Sequence, residues 1–333
     1  LDHAPTDGPV VLTLSNGSTV TFNVGYTPGD IVQSTPFAVQ GDDVYRDGES
    51  YSVSISSYTG GAEFENLVIT DTATVTVNDT IDPTTVTLND VSVDEGTGTA
   101  TIGASLDHAP TDGPVVLTLS NGSTVTFNVG YTPGDIVQST PFAVQGDDVY
   151  RDGESYSVSI SSYTGGNEFE QLVTTDTATV TVNDTIDPTT VTLDDVTVDE
   201  GTGTATIGAS LDHAPTDGPV VLTLSNGSTV TFNVGYTPGD IVQSTPFAVQ
   251  GDDVYRDGES YSVSISSYTG GAEFENLVIT DTATVTVNDT IDPTTVTLND
   301  VSVDEGTGTA TIGASLDHAP TDGPVVLTLS NGS

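Results

Sequence analysis

The chain alternates. In TATVTVN (177–183) Ala178, Val180 and Val182 are separated by Thr177, Thr179 and Thr181, and in SYSVSISS (155–162) Tyr156, Val158 and Ile160 are separated by serines. A period of two turns one set of side chains to a core and the other to water, which predicts half-buried strands. Between residues 83 and 187 the same reasoning predicts strands at 86–93, 99–106, 114–120, 123–129, 136–144, 155–162 and 177–183. Asn121–Gly122, between the third and fourth, is a two-residue hairpin signal. No segment sustains a helical period. Seven short strands in about 100 residues predict a β-sandwich.

The pattern then repeats. LDHAPTDGPVVLTLSNGS begins at residues 1, 106, 211 and 316, a period of 105. Such a period marks a tandem array. Cutting at the Asp-containing joints predicts complete repeats at 83–187 and 188–292. The segment 1–82 lacks the first two strands, and 293–333 is a second incomplete repeat, so the array is expected to run on beyond both ends. Within a repeat, Asp152 precedes Tyr156 by four residues and Val158 by six. This spacing is similar to the tyrosine corner of immunoglobulin domains, with Val158 at the second cysteine position. The expected fold class is therefore all-β: tandem immunoglobulin-like, cadherin-like β-sandwich domains in an extended rod.

Composition narrows the function. The 333 residues carry 48 Asp and Glu against three arginines and no lysine, a formal charge of −45. That surface excludes nucleic acid and anionic membrane as partners and favours cations. No stretch approaches the roughly 20 apolar residues of a membrane span. With no cysteine there is no disulfide, and with neither lysine, cysteine nor a nucleophile elbow nothing suggests an enzyme. The expected partners are the neighbouring repeats of the same chain, in a monomeric array.

The acidic residues recur in set places. The joint VTVNDTIDPTTVTL (180–193) carries Asp184 and Asp187; its copies carry Asp79 with Asp82 and Asp289 with Asp292. The first turn of each repeat carries Glu95, Glu200 or Glu305. The loop GDDVYRDGE supplies Asp42, Asp43, Asp47 and Glu49, then Asp147, Asp148, Asp152 and Glu154, then Asp252, Asp253, Asp257 and Glu259. In an up-and-down order of strands, all of these fall at one end of a sandwich. The loops of the following repeat, with Asp107 and Asp112, or Asp212, Asp217 and Asp240, face them. Two unit charges 4 Å apart at a protein surface repel by about 4 kcal/mol. Several such pairs call for a hard divalent cation, and Ca²⁺ takes 6–8 oxygen ligands in flexible geometry. The equivalent arginines Arg46, Arg151 and Arg256 are expected to pair with their own acidic loops.

With the joint, the turn VDEGTGTATI and the loop QGDDVYRDGESYSVSI together, the chain resembles the immunoglobulin-like extender repeats of giant bacterial repeats-in-toxin adhesins. The resemblance implies export by type I secretion, an extracellular place on the bacterial surface, a part in adhesion and biofilm, and the role of a Ca²⁺-stiffened spacer. The joint is also similar to cadherin linkers. That likeness implies Ca²⁺ ligand roles for Asn183, Asp184, Asp187 and Glu95. The alternative is a repeated adhesive module gripping a glycan or cell-surface partner, with Tyr131, Tyr150 and Tyr163 as its aromatic candidates.

Overall fold

The computed structural model describes residues 1–332. Among them every regular element is a strand. The chain forms two compact units. One holds residues 1–146 and 154–183; the other holds 147–153 and 184–332.

In the first unit, residues 83–183 build the sandwich. A five-stranded sheet runs in the order Thr124–Phe127, Val115–Leu119, Glu154–Thr164, Thr177–Asn183, Val91–Asp94. The other sheet runs Val137–Gln138, Gly103–Leu106, Pro83–Leu88, Gln171–Val173. Alternation places Leu117, Phe127, Val158, Val180 and Val182 on the inner face of the first and Val86, Ala104 and Leu106 on that of the second, each at most 1% exposed. Asn121–Gly122 makes the tight turn as expected, with Gly122 at φ 85°. Residues 1–82 give one four-stranded sheet, Thr19–Phe22, Val10–Leu14, Glu49–Thr59, Thr72–Val77, over a smaller core of Val10, Leu12 and Phe22. The second unit repeats the full design between residues 188 and 288, centred on Leu222, Phe232, Phe274 and Val285.

The strands are not up-and-down. The expected strand 86–93 is two strands in different sheets. Pro83–Leu88 ends where the Leu88 amide donates to Asp176 (2.8 Å), and Asp90 then accepts the Thr179 amide of the opposite sheet (2.6 Å). Two carboxylates thus pin the crossing. The crossing makes Val91–Asp94 a parallel neighbour of Thr177–Asn183, which no up-and-down order allows. The expected strand 136–144 also divides, at Ser139–Pro141, where proline has no amide to give a ladder. Gln171–Val173 is a strand that the alternation did not reveal.

Candidate functional site

The second unit collects its carboxylates around Glu200. This residue opens the turn after Val196–Asp199, and its amide donates to the Asn288 carbonyl at the end of Thr282–Asn288 (2.9 Å). The parallel ladder of those two strands therefore fixes where the side chain lies. Glu200 is 4% exposed. Its Oε1 accepts the Thr290 amide at 2.9 Å, whereas its buried Oε2 has no hydrogen-bond partner. Carboxylate oxygens of Glu200, Asp252 and Asp292 lie within 4.8 Å of one another, and so do those of Glu200, Asp253 and Asp257.

Donors are too few for these acceptors. The Thr290 hydroxyl stands 2.9 Å from Asp252, 3.0 Å from Glu200 and 3.3 Å from Asp292. A hydroxyl has one proton to donate, so it serves one of the three carboxylates at a time. Leaving a charged acceptor buried and unsatisfied costs more than the 1–3 kcal/mol typical of a neutral group. An all-oxygen, partly buried, donor-poor set is what a hard cation such as Ca²⁺ satisfies. The same arrangement begins the unit. The Thr185 hydroxyl lies 2.7 Å from Asp147 and 3.3 Å from Asp187, and the buried Oδ1 of Asp184 has no hydrogen-bond partner.

In the first unit Glu95 is equally buried, at 4%, and its amide donates to Asn183 (3.0 Å). Asp42, Asp43, Asp47 and Asp79 line an acidic cleft of about 120 Å³, where the Thr80 hydroxyl donates to Asp42. The Asp82 amide donates to Glu170 at 2.6 Å, as Asp187 does to Glu275 in the second unit.

Other expected residues have different work. Asp107 and Asp212 hold their own first strands, accepting the amides of Thr85 and Thr190 at 2.8 Å. Asp112, Asp217 and Asp240 are exposed loop residues, and Glu49, Glu154 and Glu259 are exposed strand ends. Asp289 accepts the Asp257 amide (3.4 Å). Asp148 and Asp152 are the counterparts of Asp253 and Asp257: Asp148 accepts the Tyr150 amide (2.8 Å) as Asp253 accepts that of Tyr255 (2.7 Å), and Asp152 is exposed as Asp257 is. Glu305 is exposed and stands in none of the clusters.

The acidic loop also does something that its charge concealed. In the second unit Tyr150 stacks on Phe274, centroids 5.7 Å apart, and its hydroxyl donates to the Ala214 carbonyl (2.9 Å). The backbone pairs too: Arg151 N–H to Glu273 (2.7 Å) and Glu275 N–H to Val149 (3.1 Å). In the first unit Tyr45 makes the same clasp with Phe169 and Ala109. Burial, with Asp148 and Glu273 adding, pushes the Tyr150 phenol above its ordinary pKa; burial, Asp43 and Glu168 do so for Tyr45. Arg46 and Arg151 do not pair with their own loops. Each donates to the backbone carbonyl of Glu170 or Glu275 at 3.0 Å, because the clasp carries the guanidinium to that edge. Tyr131 packs edge-on to Phe127, leaving Tyr163 the exposed aromatic of the three candidates. Thr290, Glu170, Glu275 and the Tyr–Phe clasp escaped the sequence reading. The signal for the clasp was a tyrosine and a phenylalanine each repeating at the period of 105.

The family model of the LapA domain matches residues 1–80, 82–185 and 187–290, most of the chain. The chain belongs to the LapA domain family. LapA is a large, biofilm-related adhesin, so these LapA repeats form a structural adhesin module. A search of curated proteins finds no match.

Proposed function

We propose that the LapA repeats are a Ca²⁺-stiffened extender of a large secreted bacterial surface adhesin, holding its ligand-binding domains away from the cell. On this reading the repeats are 83–187 and 188–292, flanked by the partial repeats 1–82 and 293–333, and each joint takes Ca²⁺ through the carboxylates named above. The observation that carries the proposal is Glu200, buried in two carboxylate groups with four aspartates while its Oε2 has no hydrogen-bond donor. Ca²⁺ suits the set better than Mg²⁺, which demands a tight octahedron and gives up its waters reluctantly. In an array each repeat touches only its neighbours, so stability sums repeat and joint contributions. A cation at the joint strengthens the second and narrows the joint's motion. Membership in the adhesin family supports a cell-surface place, and the resemblance to repeats-in-toxin extenders supports type I secretion.

Small-angle scattering of the whole chain tests the proposal. In Ca²⁺ the profile should be that of a stiffer, longer particle than in EDTA, with Mg²⁺ a poor substitute. Superimposable profiles in Ca²⁺ and EDTA would contradict it.

A further inference from the structure

The acidic loop of one repeat folds with the repeat that follows. Residues 147–153 fall by sequence within the LapA match 82–185, yet they belong to the second unit. There Val149 is 9% exposed and shares an apolar cluster with Val191, Leu222 and Phe274, and Tyr150 packs against that cluster. The cluster of the first unit contains neither residue; Val44 and Tyr45 pack against it instead. We propose that residues 147–153 are a docking arm, and that each complete repeat carries an acceptor surface, at its Glu-Phe-Glu segment, for the arm of the repeat before it. The arm makes the stability of a repeat depend on its predecessor, one way along the array and without a cation.

Three kinds of contact hold the arm. Its backbone forms a short antiparallel bridge, Tyr150 opposite Phe274. The Arg151 amide donates to the Glu273 carbonyl (2.7 Å) on one side of the bridge, and the Glu275 amide to the Val149 carbonyl (3.1 Å) on the other. The Tyr150 ring stacks on Phe274 while its hydroxyl donates to the Ala214 carbonyl, so one side chain ties two separate parts of the acceptor. The Arg151 guanidinium adds a bond to the Glu275 carbonyl. This is strand addition at its shortest, with an aromatic pair and a satisfied phenol to select the partner.

Charge works against the contact. Asp147, Asp148 and Asp152 stand on the arm, and Glu273 and Glu275 stand on the acceptor segment, with Arg151 the arm's one fixed cation. Asp148 is engaged with the Tyr150 amide of its own turn. The arm therefore docks through apolar and backbone contacts in the face of like charge. Salt screens such repulsion, so added NaCl should tighten the docking.

The first unit has the same design. Tyr45 lies opposite Phe169, the Arg46 amide donates to Glu168 (2.7 Å), and the Glu170 amide donates to Val44 (3.0 Å). The third copy of the loop supplies the contrast. Tyr255 donates to the Ala319 carbonyl (3.0 Å), but it stands outside the apolar cluster that Tyr150 joins.

Hydrogen exchange of the whole chain in EDTA, followed by mass spectrometry, tests the proposal. Tyr150→Ala removes an aromatic pair and a hydrogen bond, and should speed exchange in 273–278 by about tenfold or more. Residues 83–146 and 154–183 should keep the parent's rates. Val149→Ala, a smaller truncation, should act in the same place and to a lesser extent. Tyr255→Ala should leave 273–278 unchanged. NaCl should slow exchange in 273–278 in the parent and not in Tyr150→Ala. The arm is overturned if Tyr150→Ala and Val149→Ala speed exchange in 147–153 alone, or if they disturb 83–146 as much as 273–278. Faster exchange of the parent in NaCl, with the variants as expected, overturns the docking against like charge alone.

Discussion

Residues 188–193 and 293–298 have the same sequence, PTTVTL, and different fates. In the first copy Val191 is 0% and Leu193 5% exposed; in the second Val296 is 40% and Leu298 49% exposed. The turns that follow diverge in the same way. Glu200 is buried among carboxylates, whereas Glu305 is exposed. The first copy lies between Gly208–Leu211 and Asn276–Val278, and its turn hangs from Thr282–Asn288. Among the described residues the second pairs with Ala314–Leu316 alone. Alternating β-branched residues thus make a strand available, but only a full ladder on both sides makes it core. The candidate ligand is likewise a property of Glu200 joined to the last strand of its repeat, and not of the residues DEGTG.

One substitution made in both copies should separate them most strongly. Leu193→Ala empties a packed site and should cost about 2–5 kcal/mol. Leu298→Ala removes an exposed side chain and should stay within about 0.5 kcal/mol. Urea unfolding of the two variants measures the difference, and equal costs would mean that the two copies share one environment.

The clasp gives a smaller effect. Tyr150→Phe keeps the stack on Phe274 and loses the hydrogen bond to Ala214, at a cost of about 0.5–1.5 kcal/mol. Its pH dependence has a definite sign. A phenol whose folded pKa lies above its unfolded value of about 10 contributes stability that is whole below pH 10 and is lost as the pH climbs through the raised folded value. Thermal unfolding between pH 8 and 11 should show that loss, reduced by one phenol's share in Tyr150→Phe. An unaltered pH profile in the variant would place the titration elsewhere.

Much of the fold was legible because period two is local: Val158, Val180 and Val182 stand where alternation put them. What was hidden depends on pairing at long range. Nothing near Asn89 announces that the chain changes sheet, since the carboxylate that accepts the Leu88 amide belongs to Asp176. The acidic loops were visible as charge, and the repetition pointed to Glu200, Asp252, Asp253, Asp257 and Asp292 as candidates. Charge alone did not separate these from Asp212, which is engaged with the Thr190 amide, or from Asp217, which is exposed. Tyr150 was hidden for a related reason: its partner Phe274 is more than a repeat length away in sequence.

Calorimetry of the whole chain in EDTA and in Ca²⁺ tests most directly whether the carboxylates around Glu200 hold a cation, with Glu200→Gln and Glu305→Gln measured beside the parent. A cation that binds only the folded state adds about 2.7 kcal/mol at a hundredfold excess over its dissociation constant. The parent and Glu305→Gln should gain in Ca²⁺, and Glu200→Gln should lose the share belonging to residues 188–292. In EDTA, Glu200→Gln should unfold no lower than the parent, because it removes a buried charge whose Oε2 has no hydrogen-bond partner. A parent indifferent to Ca²⁺, or a Glu200→Gln chain that gains as much as the parent, would contradict the account.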